Sequence, residues 1–335
     1  MRSPCVGAWC VNAITRIRYL SRMVTRAPDP SSARRVKNAA RWAIAVGVVG
    51  FGLKLSGWLM TGSDAVFSDA LESIVNIVAS VGALLALTYA ERPPDREHPY
   101  GHGPIEFVSA LFEGALVAVA GLVILTHCAE SMYRGRAPIQ EIDAGLVLVG
   151  ISAVLNGLAG VALLRVGRAT GSAALEGDGK HLLADLVTTA AVLGGLVAVR
   201  VTELAWIDTA VAIAVGVLLA IVGSRVAYKG VSAIIGYSDA QDHSTIVAVL
   251  ERHRQGDEPC ICSFASVRHR HHGRAHFIDM HLRVPRTLSI VESHDIASRL
   301  EREVLDAIGE GTATAHMEPC GDAQCSRCQA SNDRS

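Results

Sequence analysis

Aromatic residues are scarce, only 5% of the chain, and Asp, Glu, Lys and Arg together make up just 19%. So few rings provide no stacking platform for bases. A near balance of 31 basic against 32 acidic residues, net −1, provides no field for a polyanion, so nucleic acid is excluded as a partner. No catalytic triad, phosphate-cradling glycine loop or other enzyme signature occurs, and the chain reads as a non-enzyme. The first 33 residues carry Arg2, Arg16, Arg18, Arg22 and Arg26 but no small-residue cleavage site after an apolar core. They are expected to form a basic cytosolic tail rather than a targeting peptide, with Met23 as an alternative start. What is plentiful is apolar: 50% of residues are hydrophobic and mean hydropathy is +0.33, the range of integral membrane proteins.

Six apolar segments are long enough to span a bilayer, which takes about 20 residues each. They run Ala39 to Met60, Asp64 to Ala90, Ile105 to Met132, Ile142 to Val166, Ser172 to Arg200 and Ile207 to Tyr228. Six spans put both ends on one side. Arg34, Arg35, Lys37, Arg41, Arg92, Arg96, Arg165, Arg168, Arg225 and Lys229 collect on one face, against Arg134, Arg136 and Arg200 on the other. Positive charge in short loops marks the cytosolic side, so both termini are expected in the cytosol of a multi-pass protein of the cell (inner or plasma) membrane. The expected division is a tail over 1–35, a membrane domain over 36–238, a soluble domain over 239–319 and a cysteine-containing tail over 320–335.

Polar residues interrupt two of the spans. Asp69, Glu72 and Asn76 in the second, and Asp178, His181 and Asp185 in the fifth, are spaced three and four apart. On a helix each set forms a ladder along one face. Carboxylates and an imidazole inside lipid-length segments are costly unless they meet one another or a cation. A divalent metal held between two membrane helices is the simplest answer; polar groups that merely bond across helices are the bland alternative.

After Tyr237 hydropathy falls, and nine of the 13 histidines follow. Ser244 to His253 has helical periodicity, Ser263 to His269 and His276 to Val284 alternate as strands, Ser289 to Ile308 is again helical and Thr312 to Met317 suits a last strand. That order suggests a ferredoxin-like α+β sandwich. Cys260 and Cys262 form C-x-C, and Cys325 and Cys328 form C-x-x-C with Cys320 before them. Brought together, the two pairs would make a four-thiolate site. Nothing in the sequence joins them, and reduced, non-binding thiols are the expectation. Cys128, inside an apolar helix, reads as a packing residue.

Six spans, ladders in the second and fifth, the GHG turn after the second span and a small α+β domain resemble the cation diffusion facilitator family of divalent-metal/proton antiporters. The resemblance covers Val36 to Pro319 and implies a transport site of two residues from the second helix and two from the fifth, here Glu72, Asn76, His181 and Asp185. His181 and Asp185 fit that pattern directly. Glu72 and Asn76 stand where relatives usually carry Asp or His and then Asp. Asp69 and Asp178 would support the ligands from one turn away. Asp95, His98 and His102 are similar to a second metal site of the family, in the loop that follows the second helix, where capping histidines are the alternative reading. Gly101 and Gly103 bend that loop, and Pro104 stands where many relatives carry Lys. In the soluble domain His281, His294, His316 and Glu318 match the family's cytosolic metal cluster, while Ala265 replaces its first histidine and His269, His271 and His272 are candidate substitutes. The resemblance implies export of divalent transition metals, zinc first and iron(II) next, then cobalt, nickel, manganese or cadmium, in exchange for protons by a homodimer in membrane lipid. A membrane-anchored metal sensor and a uniport carrier are the alternatives.

Overall fold

The computed structural model describes residues 30–135, 139–170, 173–255, 261–273, 275–322, 325 and 328. The expected basic tail before Pro30 and Cys260 lie outside them. Six helices are long and apolar enough to cross a membrane: α1 (Pro30–Thr61), α2 (Asp64–Ala90), α3 (Ile105–Arg134), α4 (Ile142–Thr170), α5 (Ala173–Thr202) and α6 (Trp206–Ile234). Five contain their expected spans whole, and α5 begins one residue inside its own, at Ala173 rather than Ser172, which lies outside the described residues; most run further at one end or both. Hydropathy marks the stretch that lipid must cover, and helical hydrogen bonding continues past it: α1 begins at Pro30 rather than Ala39, with proline at the first position where its missing N–H costs nothing, and α6 ends at Ile234 rather than Tyr228. Leu59, Leu85, Val187 and Val201 remain largely exposed on the bundle, as lipid-facing side chains do.

The chain divides into two compact units. In the first, α1, α4 and α5 pack through small residues: the Ser152 hydroxyl donates to the Gly50 carbonyl at 3.2 Å, and Gln140 N–H closes on the Thr61 carbonyl at 3.0 Å. The second holds α2, α3 and α6 with everything after them. There α3 and α6 approach almost backbone to backbone. A Cβ on Gly114 would overlap the Ala227 amide nitrogen, one on Gly223 that of Ala118, and one on Gly230 would lie 2.7 Å from the Leu111 nitrogen. Lipid tails are as apolar as leucine, so such close van der Waals packing is what holds membrane helices together.

The soluble part is α7 (Ala240–Gln255), β1 (Ser263–His272), β2 (Ala275–Val284), α8 (Ile290–Ile308) and β3 (Gly311–Pro319), the expected α+β order. The sheet runs β1-β2-β3, with β1 antiparallel and β3 parallel to the central β2. Ile278, Met280, Leu282 and Val284 alternate inward along β2 against Ile246, Leu250, Leu300 and Val304 of the two helices. His281 and Arg283 therefore project from the opposite face. A bulge between Ala265 and Arg268, where Ser266 has φ 50°, shifts the β1 register. Ser289 and Glu292 form a reciprocal capping box at the start of α8.

Candidate metal sites

The two ladders form as their spacing predicts, each in its own unit. On α2, Asp69 and Glu72 are buried at 1% and 8% exposure and Asn76 is half-buried. On α5, His181 Nε2 stands 3.9 Å from Asp185 Oδ2; Asp185 is buried, while His181 and Asp178 are exposed. Thr189 extends the α5 ladder by one more turn and accepts a 3.1 Å hydrogen bond from the amine of Lys54, a fully buried lysine of α1. A cation inside an apolar span is the signal that could have marked Lys54; nothing local marks its partner, 135 positions away.

At the start of α2 and α6 lies a polar knot that the ladders did not announce. Ser63 Oγ donates to Asp208 Oδ1 at 2.6 Å, the Asp64 amide donates to Asp208 Oδ2 at 2.7 Å, and Thr209 donates to Asp64 Oδ2 at 2.8 Å. His127 Nε2 of α3 lies 3.3 Å from Asp64 Oδ1. Each aspartate satisfies donors at a helix N-terminus, where a carboxylate is favoured.

In the loop after α2, Asp95, His98 and His102 present ligand atoms within 4.8 Å of one another. Asp95 Oδ1 accepts the backbone amides of His98 at 2.6 Å and Glu97 at 2.9 Å, and its Oδ2 faces His102 Nε2 at 3.3 Å. The His98 amide, first among these contacts, holds the Asp95 carboxyl below the usual carboxylate range. His102 is buried beneath the Tyr89 ring. Gly101, at φ 91°, makes the bend, but Gly103 has a different task. Its Cβ would collide with the carbonyl of His272 at the β1–β2 hairpin, with the Gly273 nitrogen 3.2 Å from the same position.

In the soluble domain His281, His316 and Glu318 converge on the sheet face away from the helices. His281 and His316 are register partners on β2 and β3, and His281 Nδ1 lies 2.8 Å from Glu318 Oε1. His281, ahead of Arg283 whose Nε donates to Oε2 at 3.1 Å, lowers the Glu318 carboxyl. His294 does not join them: it sits exposed on α8, a helix that covers the other face of the sheet. Within one chain, three of the expected four come together.

A third group, missed as such, comprises Asp242 of α7 with His271 and His276 of the hairpin. Asp242 Oδ2 lies 3.1 Å from His271 Nε2 and 3.8 Å from His276 Nδ1. His269 shares the His271 side of β1 and bonds Ser238 Oγ at 2.9 Å through Nδ1, whereas His272 faces Tyr100 and Phe277, as strand alternation predicts. Burial pushes the His269 and His276 imidazoles below their ordinary value. The unfolded chain then binds more protons, so this stability is complete above the unfolded value of about 6.5 and is lost as pH falls below it. In metal-free full-length protein the unfolding temperature is expected to fall over the pH window that opens below about 6.5, and the fall is expected to flatten in His276→Gln. A midpoint that ignores pH across that window would refute this.

Four cysteines that nothing in the sequence joins come together. Cys262, Cys320, Cys325 and Cys328 bring their sulfurs within 4.8 Å of one another. Burial, then the neighbouring thiols, raises the Cys262 thiol, and burial first pushes Cys328 up to about 11. Cys128 is buried in α3, as a packing residue should be.

The family model for the cation efflux transmembrane domain matches residues 40–235, and that for the cation efflux protein cytoplasmic domain matches 240–320. A Synechocystis protein described as an uncharacterized transporter, sll1263, is 31% identical over 293 residues, 87% of this chain and 93% of its own length. The cation-efflux pump FieF of Shewanella oneidensis is 26% identical, covering 85% of this chain and 94% of the pump. Among solved structures, the metal-bound C-terminal domain of the CzcD transporter from Thermotoga maritima is 28% identical, covering 25% of this chain and 93% of that domain, with a TM-score of 0.22. Spanned by the transmembrane family domain over its six helices and by the cytoplasmic one over its sheet, the chain belongs to the cation diffusion facilitator family, and is a multi-pass cation efflux transporter rather than an enzyme.

Proposed function

We propose that this transporter exports divalent transition metals from the cytosol in exchange for protons, with zinc the first candidate and iron(II) the next. The observation that carries the reading is a pair of membrane helices in which ionisable ladders are partly buried, Glu72 at 8% and Asp185 at 7% exposure. A helix bundle has no need of such groups, and their cost is justified by a cation. Glu72, Asn76, His181 and Asp185 are the proposed transport ligands, Asp69 and Asp178 their supports. Two carboxylates balance a dication, and neutral His181 adds the nitrogen that zinc and iron(II) accept. Curated relatives named as cation-efflux pumps FieF support export as the direction.

Proton coupling follows from ligand chemistry. An imidazole titrates near neutral pH, and metal and proton compete for the same nitrogen. Alternating access of a site near mid-membrane would then exchange one for the other. Asp95, His98 and His102, and His281, His316 and Glu318, would gather or sense metal on the cytosolic side. The proposed assembly is a homodimer in lipid with both termini in the cytosol, a membrane domain over 36–238, a cytosolic domain over 239–319 and a tail after it.

Proteoliposomes decide the matter. A pulse of zinc or iron(II) is expected to move protons the opposite way, and a pre-set pH gradient to drive metal uphill. Metal flux indifferent to the gradient would leave a uniport carrier instead.

A further inference from the structure

We propose that Cys262, Cys320, Cys325 and Cys328 hold a resident zinc ion, separate from the transported cargo, that fastens the C-terminal tail across the end of the sheet. The four sulfurs lie within 4.8 Å of one another, and those of Cys262 and Cys328 are 3.7 Å apart. Thiolates at about 2.3 Å from zinc on the corners of a tetrahedron stand about 3.8 Å apart, so the Cys262–Cys328 separation is that of a metal shell, and the 4.8 Å bound keeps the other sulfurs near one. It is far too long for a disulfide, whose sulfurs approach to about 2.05 Å.

The backbone shows how the group is built. Consecutive carbonyls of the central strand face its two edges: Arg283 accepts the Cys262 amide at 2.7 Å and Val284 accepts the Cys320 amide at 2.8 Å. One strand end thus sets a cysteine on either side of itself. The C-x-x-C turn, closed by the Cys328 amide on the Cys325 carbonyl at 3.1 Å, adds the other two. Arg286 Nε donates to the Cys320 carbonyl at 2.7 Å and braces that corner.

Donor chemistry separates this group from the rest. Among the described residues, the other three clusters contain histidine and carboxylate and no sulfur; this one is sulfur alone. An all-thiolate set prefers zinc over harder dications, and with four protein ligands it is a closed structural site rather than a point of exchange. Only Cys320 is buried, the others half-exposed, so apolar packing does not account for the gathering.

Cobalt(II) is the probe. Reduced full-length protein, stripped by chelator and titrated with cobalt, is expected to show thiolate-to-cobalt charge transfer and the intense d–d bands of tetrahedral four-sulfur ligation, saturating at one equivalent per chain and bleached by one of zinc. Histidine and carboxylate sites give no such charge transfer, so failure of the transport reading would leave this result untouched. The double variant Cys325→Ser, Cys328→Ser is expected to lose the bands, while Cys260→Ser keeps them. Zinc-edge absorption of the wild type, which needs no variant to fold, is expected to include a shell of four sulfurs. No charge transfer in folded wild type, bands that survive the double variant, or bands lost in Cys260→Ser would each overturn the proposal.

Discussion

Proteoliposomes carrying His181→Ala are expected to lose metal-driven proton movement by about 100-fold or more. Changes to groups that only support a ligand cost about 10–100-fold in metal affinity or activity, and removing a ligand outright should exceed the upper end of that range. His181 faces Asp185 at 3.9 Å on the same helix face, so alanine there would leave Asp185 with no nitrogen partner for a dication and no imidazole beside it at which metal and proton compete. Two companions sharpen the test. Asn76→Asp adds a third carboxylate to the proposed set and is expected to retain transport while shifting preference toward harder ions such as manganese. His294→Ala is expected to change neither rate nor selectivity, since that imidazole stands exposed on α8 and outside the His281 group. If His181→Ala transports normally while folded, the ladder is not the transport site.

Gly223→Val is expected to remove most folded protein. Its new Cβ would meet the backbone of Ala118, and the two larger branches have nowhere to go because the neighbour is main chain rather than a side chain that can swing away. Overpacking ordinarily costs about 1–3 kcal/mol, and a main-chain neighbour places this case at or beyond the top of that range, a large share of a total stability of about 5–15 kcal/mol. Gly114→Val, on the facing helix, should do the same. Gly82 of α2 has open space around it, and Gly82→Ala is expected to hold or slightly raise stability through helix propensity, by up to about 1 kcal/mol. Thermal unfolding and size-exclusion profiles in detergent separate these outcomes; equal behaviour of the Gly223 and Gly82 variants would remove the close helix pair from the account.

The six helices and both ladders were legible because lipid imposes a length and a helix imposes a spacing, and both leave periodic marks in the chain. Helix ends were not, since hydrogen bonding runs on after hydropathy stops, as at Pro30 and Ile234. The loop triad came through family resemblance, helped by three ligand types falling close together in one short loop. His281, His316 and Glu318 came through family resemblance, which also named His294; within this chain it stands apart on α8, and no local pattern reveals that helix's face. Contacts set by long-range register stayed hidden: the four cysteines meet only because β1 and β3 flank the same end of β2, and Asp242 reaches the histidine hairpin only once α7 packs on it.

The close approach of Gly103 and Gly273 sets a rule for building hybrids of this transporter. The two backbones touch with no side chain between them, so the loop leaving α2 and the hairpin tip fit as a matched pair. A graft that takes the cytoplasmic domain from a relative must bring a hairpin bare at the tip, or exchange the loop along with it. Modularity, for this chain, is cut at a point outside that contact rather than at the end of α6.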